Sequence, residues 1–165
     1  DDLAQIMRSI RIHGSGLDKY DNVRIGINGR LDTFQAAILL EKLAIFNKEL
    51  ELRNQVAQYY NNSMSDNFQK PILPDQYVSS WAQYSLLSKS TRHREGIISG
   101  LKKENIPSMI YYRIPLHLQA VFKKLNYRKG DFPVAEFIAD RIFSLPMHPY
   151  LENHNQDKIV EILNS

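Results

Sequence analysis

The 165 residues include no cysteine. That excludes disulfide scaffolds, thiolate metal sites and a cysteine nucleophile. Long apolar runs are also missing. The longest aliphatic stretch, Ala36 to Leu40, falls far short of the ~20 residues a membrane helix needs. No charged segment followed by an apolar one opens the chain, so no secretory signal is visible and the cytoplasm is the expected location. The five histidines, His13, His93, His117, His148 and His154, contain no i, i+4 pair around a carboxylate, so a zinc site is not expected. Neither a Gly-x-Ser-x-Gly elbow nor a phosphate-binding P-loop occurs. The chain does not open on methionine, and an amphipathic pattern begins at once, as expected of a piece of something larger.

What is present is ordinary in bulk and uneven in detail. Hydrophobic residues make up 43%, charged residues 24%, and the net charge is +3, values that suit one folded core and argue against whole-chain disorder. The segment 89–129 nevertheless holds ten basic side chains against Glu95 and Glu104. Such a stretch attracts a phosphate-bearing ligand or forms a solvated basic face. A nucleic-acid partner would call for a helix-turn-helix or repeated Arg/aromatic motifs, and neither is found.

Leu3, Ile6, Met7 and Ile10 form one helical stripe, with Asp1 or Asp2 as N-cap and a stop near Gly14 and Gly16. Residues 14–31 read as a loop carrying four of the seven glycines, the composition of backbone that closely approaches a ligand or another backbone. Asp32, with Gln35 three residues on, starts a helical region reaching about Met64, with a break expected near Phe46–Asn47. Pro71 and Pro74 bracket a connector. Beyond it the spacing predicts strands at 80–88, 108–114 and 143–145. It predicts helices capped by Thr91, over 118–125, from Pro133 and from Asn155. These residues describe an α+β unit, a small, mainly antiparallel sheet covered by helices.

Several stretches carry more specific information. Arg24-Ile25-Gly26-Ile27-Asn28-Gly29-Arg30-Leu31-Asp32 resembles the Gly-x-Asn-x-Arg-Leu-Asp signature of the DegT/DnrJ/EryC1/StrS sugar aminotransferases, running on through Gln35-Ala36-Ala37 to Lys42-Leu43. Ser80-Trp81-Ala82-Gln83-Tyr84 is similar to that family's Trp-x-x-Tyr strand. Ile106-Pro107, Tyr111-Tyr112 and Pro115-Leu116-His117 follow in order, then the blocks Gly130 to Glu136 and Ser144 to Leu151. The likeness covers nearly the whole chain and is strongest to the branch that aminates UDP-2-acetamido-2-deoxy-3-oxo-glucuronate.

The resemblance implies an α/β fold, the C-terminal part of the type I pyridoxal-phosphate transferases. Residues 1–31 would end the large cofactor-binding domain, 32–70 would form a long bridging helical region, and 71–165 the C-terminal small domain. It implies pyridoxal 5'-phosphate as cofactor and an amino donor such as glutamate. It also implies a nucleotide-linked keto sugar as acceptor, cell-surface polysaccharide (lipopolysaccharide O-antigen) as destination, and a homodimer with shared sites. The cofactor-carrying lysine would lie upstream of Asp1, so no catalytic residue is assigned and these residues alone are expected to be inactive. Asn28 matches the asparagine that reaches the cofactor phosphate of the neighbouring subunit, and Arg30 an arginine entering the same site. As residues alone, Asn28 also suits a turn, and Arg30 a salt bridge with Asp32. Tyr111, Tyr112 and His117 match the sugar pocket. Tyr112 equally suits a core aromatic, and His117 a helix-start cap. Arg113 stands where the family usually has proline. Trp81 and His148 are assigned to packing. The competing reading is a non-catalytic dimerisation or regulatory module of the same fold.

Overall fold

The computed structural model describes residues 1–18 and 20–165. Lys19, counted above within the glycine-rich loop, lies outside the described residues. The chain divides into two compact units, residues 1–46 and 47–165.

In the first unit, helix α1 spans Asp2–Arg11. Asp1 occupies the N-cap position but its side chain makes no capping bond, contrary to expectation. Leu3 and Met7 of the apolar stripe are more than half exposed. The following loop folds back on the helix end through backbone bonds: Ile27 N–H to Ile10 O at 2.8 Å, His13 N–H to Ile27 O at 2.9 Å and Gly29 N–H to Arg11 O at 2.8 Å. Two glycines make this approach possible. A Cβ on Gly26 would lie 2.0 Å from Gly14 N, and one on Gly14, at φ +78°, would lie 1.8 Å from Arg24 O. Helix α2 begins at Thr33, where Asp32 Oδ1 accepts from Phe34 N–H at 2.8 Å and Gln35 N–H at 3.3 Å, as the capping pattern anticipated.

Helix α2 runs unbroken over Thr33–Ser63, so the break expected near Phe46–Asn47 does not occur. The units divide at that same place.

The second unit holds a three-stranded antiparallel sheet in the order β1 (Phe68–Gln69), β2 (Tyr84–Ser88), β3 (Ile142–Leu145). Tyr84 pairs with Leu145 and Leu87 with Ile142. Along β2, Tyr84, Leu86 and Ser88 are buried in alternation, the two-residue period of a strand. Around the sheet stand α3 (Thr91–Lys103), α4 (Pro133–Arg141, with its proline in the first turn as expected) and α5 (Asn153–Asn164). Val56, Ala57 and Tyr60 of α2 join Tyr84, Leu86, Leu101, Phe143, Ile159 and Leu163 in one core. The far end of α5 is clasped to the end of α2: Asn164 accepts from Ser65 N–H at 2.9 Å and donates to Ser63 O at 3.1 Å.

Five local expectations change. Helix α5 starts at Asn153 with Glu152, not Asn155, in the N-cap position and without a side-chain bond. Ser90, not Thr91, caps α3, accepting from His93 N–H at 3.1 Å, while the Thr91 hydroxyl donates to Asp140 O. Residues 80–83 stay outside the strand, with Trp81 at φ 46° and its indole N–H bonded to Asn54 Oδ1 at 2.8 Å. Residues 108–114 form no strand, only the isolated bridge between Met109 and Ser144. The segment 118–125 is not one α-helix but two 3₁₀ turns, Leu116–Leu118 and Ala120–Leu125.

Candidate functional site

Asn28 and Arg30 belong to the first unit and are brought together. The loop fixes Asn28 by its bridge to Ile12. Arg30 Nε then donates to Asn28 Oδ1 at 3.2 Å. Both side chains are exposed. The bond uses the amide oxygen and Nε, which leaves the Asn28 amide N–H groups and the terminal guanidinium nitrogens as further donors on exposed side chains. That donor set suits an anionic oxygen of a phosphate or carboxylate. The salt bridge of Arg30 with Asp32 is not formed; Arg30 bonds Asn28 and Asp32 Oδ1 caps α2.

The other three residues belong to the second unit, and they separate into two cavities. Tyr112 and His117 line a cavity of about 880 Å³ whose walls are mostly aliphatic and aromatic, with Phe122, Tyr127 and Phe132 contributing rings. Tyr111 lines a different one of about 220 Å³, beside Gln83, Met109 and Ser144. The two tyrosine rings stand edge to face at 5.8 Å. Tyr112 is 73% exposed, so it is not a core aromatic. His148 is exposed rather than packed, whereas Trp81 is buried as expected.

His117 is not a helix cap. Pro115 takes that position and makes no side-chain bond. The His117 ring is nearly enclosed, packed at 4.7 Å from the Phe132 ring, with Nε2 3.0 Å from Glu136 Oε1. The same Glu136 oxygen accepts the Gly130 N–H at 2.7 Å. These hydrogen bonds, the Gly130 N–H first, hold the Glu136 carboxyl below the usual carboxylate range against the opposing effect of burial. Glu136 was not singled out in the sequence. It closes the block Gly130 to Glu136 and stands in the first turn after Pro133, but nothing in either gave it a role, and its partners lie 6 and 19 residues away.

Of the basic segment, Arg94 alone is buried; the other nine cations are exposed. Its guanidinium donates to Ala139 O at 2.7 Å, at the end of α4, where a cation complements free carbonyls. Burial, and then the nearby Arg113 charge, lower its proton affinity. Among the described residues there is no cluster able to hold a metal ion, and no helix is long and apolar enough to cross a membrane.

Comparison with known proteins gives a consistent result. The sequence profile of the DegT/DnrJ/EryC1/StrS aminotransferase family matches residues 1–164. The UDP-2-acetamido-2-deoxy-3-oxo-D-glucuronate aminotransferase of Pseudomonas aeruginosa is 39% identical over 153 residues, which is 92% of this chain and 41% of that protein. A pleiotropic regulatory protein of Geobacillus stearothermophilus is 36% identical, covering 98% of this chain and 43% of that protein. The crystal structure of a DegT DnrJ EryC1 StrS aminotransferase from Brucella abortus superposes with a TM-score of 0.86 at 50% identity, over 98% of this chain and 43% of that one. The chain thus spans about two-fifths of the length of the relatives it matches.

Proposed function

The chain belongs to the DegT/DnrJ/EryC1/StrS aminotransferase family, and on that premise we propose that it supplies the C-terminal part of a pyridoxal-phosphate-dependent nucleotide-sugar aminotransferase. The profile match over residues 1–164 carries this reading. In it, residues 1–31 end the large domain, 32–70 bridge, and 71–165 form the small domain. Glutamate is the donor, a keto-sugar nucleotide the acceptor, and a cell-surface polysaccharide such as the lipopolysaccharide O-antigen the destination. The protein works as a cytoplasmic homodimer.

The residues present fit one end of the cofactor. Asn28 and Arg30 form an exposed donor pair on a glycine-tightened loop, suited to a phosphate or carboxylate oxygen. In this reading the cofactor-carrying lysine belongs to the part of the protein upstream of Asp1. When bound, the cofactor's ring supplies the electron sink for amino transfer. This chain's own contribution is binding and orientation. Asn28 and Arg30 hold anionic groups in the site of the neighbouring subunit. Tyr111, Tyr112 and His117 shape the place of the sugar nucleotide. The exposed cations of 89–129 raise its local concentration.

The test uses two inactive variants of the longer protein that carries this chain, one lacking the upstream lysine and one Arg30→Ala. In each mixed dimer with shared sites, one site carries both defects and the other carries neither, so glutamate-dependent amination of the keto-sugar nucleotide returns on mixing. With subunit exchange shown independently, no recovery in any mixture refutes the shared site. A longer protein that folds and dimerises but never aminates supports the second reading, a regulatory module, which the likeness to the Geobacillus regulatory protein favours.

A further inference from the structure

Glu136 joins two segments that contribute to the lining of the 880 Å³ cavity. Its Oε1 is bonded to His117 Nε2, in the lining segment 114–119, and to the N–H of Gly130, in the loop leading to Phe132, whose ring lines the same cavity and packs 4.7 Å from that of His117. The two side chains are only 7% and 13% exposed, so the contact is shielded from competing water. Gly130 sits at φ +100°, a conformation that turns its N–H toward the carboxylate and that side-chain-bearing residues rarely adopt.

A carboxylate only accepts hydrogen bonds. The imidazole nitrogen facing it therefore carries the proton, and in the neutral ring the remaining nitrogen is an acceptor. His117 Nδ1 has no hydrogen-bond partner among the described residues and is not one of the sealed, unpartnered polar atoms. The ring itself lines the cavity. The remaining lining is largely hydrocarbon and aromatic, so a fixed acceptor there selects the orientation of whatever enters.

We propose that Glu136 is a positioning residue: it holds His117 as the Nε2–H tautomer, so that Nδ1 is the hydrogen-bond acceptor the cavity presents to a hydroxyl of its ligand. The ligand in view is the nucleotide sugar, and to that extent the proposal rests on the function proposed above. The tautomer itself does not depend on that function.

Long-range ¹H–¹⁵N NMR of the ¹⁵N-labelled chain, at a pH where the ring is neutral, reads the tautomer directly. His117 should show a protonated Nε2, its N–H proton slow enough in exchange to be seen, and an unprotonated Nδ1. Glu136→Gln keeps an acceptor oxygen and should keep this signature. Glu136→Ala, a change to a good helix former on α4, should lose the slow Nε2–H signal and leave a mixture of tautomers. A wild-type ring protonated at Nδ1, or already mixed, overturns the proposal whether or not either variant folds. So does a Glu136→Ala spectrum identical to wild type, or a Gln variant that behaves as Ala. None of these outcomes depends on catalysis, so an absent aminotransferase activity would count against the proposed function alone.

Discussion

Replacing Tyr84 by Phe isolates one buried hydroxyl. The Tyr84 ring is fully buried, 5.1 Å from the Tyr60 ring and 5.6 Å from that of Trp81. Its hydroxyl donates to Asn61 Oδ1 at 2.5 Å. Phe keeps the ring packing and the pairing with Leu145, so the loss is confined to that bond. A net hydrogen bond contributes about 0.5–1.5 kcal/mol, and stranding a buried acceptor adds more. Asn61 is only half-buried, so water recovers part of the second cost, and the expected total is about 1–2 kcal/mol. The same substitution has a signature at high pH. Burial pushes the Tyr84 and Tyr60 phenols well above their usual range, and Tyr60 also feels Tyr84. A phenol kept neutral in the fold but free to ionise near pH ~10 when unfolded gives stability that is complete below that pH and declines above it. At pH 11 each such phenol removes about 1.4 kcal/mol. Urea unfolding followed by fluorescence of the single tryptophan, Trp81, should show the Phe variant weaker near pH 8 and less steeply destabilised between pH 10 and 11. Equal alkaline slopes in the two proteins, or no loss near pH 8, would refute the reasoning.

Gly130→Ala meets no atom within 4 Å of the new Cβ, so its cost is the conformational one of a residue at φ +100°, about 1–2 kcal/mol in urea unfolding. An unchanged midpoint would show that the 127–132 turn relaxes freely. Arg113 is exposed between Tyr112 and Ile114, both of which line the larger cavity. In the longer protein, Arg113→Ala should raise KM for the sugar nucleotide more than for the amino donor. The difference should shrink as salt screens charges beyond ~8 Å. Unchanged KM values would make the 89–129 segment a solvated face.

Much of this was legible locally. The Asp32 cap and the Pro133 helix each follow from residues within a few positions of one another. Elsewhere distant contacts decided the outcome. Trp81 alternates correctly for a strand, but its indole bond to Asn54, 27 residues back, pulls residues 80–83 out of the ladder. The β-rich composition of 108–114 yields a single bridge, made by Met109 to Ser144. The apolar spacing at 118–125 resembles an α-helix, and the chain instead forms short 3₁₀ turns around a cavity. Within the candidate site, Asn28, Arg30, Tyr112 and His117 were visible through motif likeness. Glu136 lay within a matching block, Gly130 to Glu136, but its tie to His117 was not legible, since that contact spans 19 residues of sequence.

The clasp between Asn164 and the end of α2 has a consequence for the birth of the protein. Ile159 and Leu163 complete the core around Tyr60, and Asn164 ties back to Ser63 and Ser65. Roughly 100 residues separate those partners, and ribosomes add about 5–20 residues per second. The core around Tyr60 therefore lacks its α5 side chains for about 5–20 s of synthesis. The nascent chain is open to chaperones and proteases for that interval, and the second unit closes only when its last helix has left the ribosome.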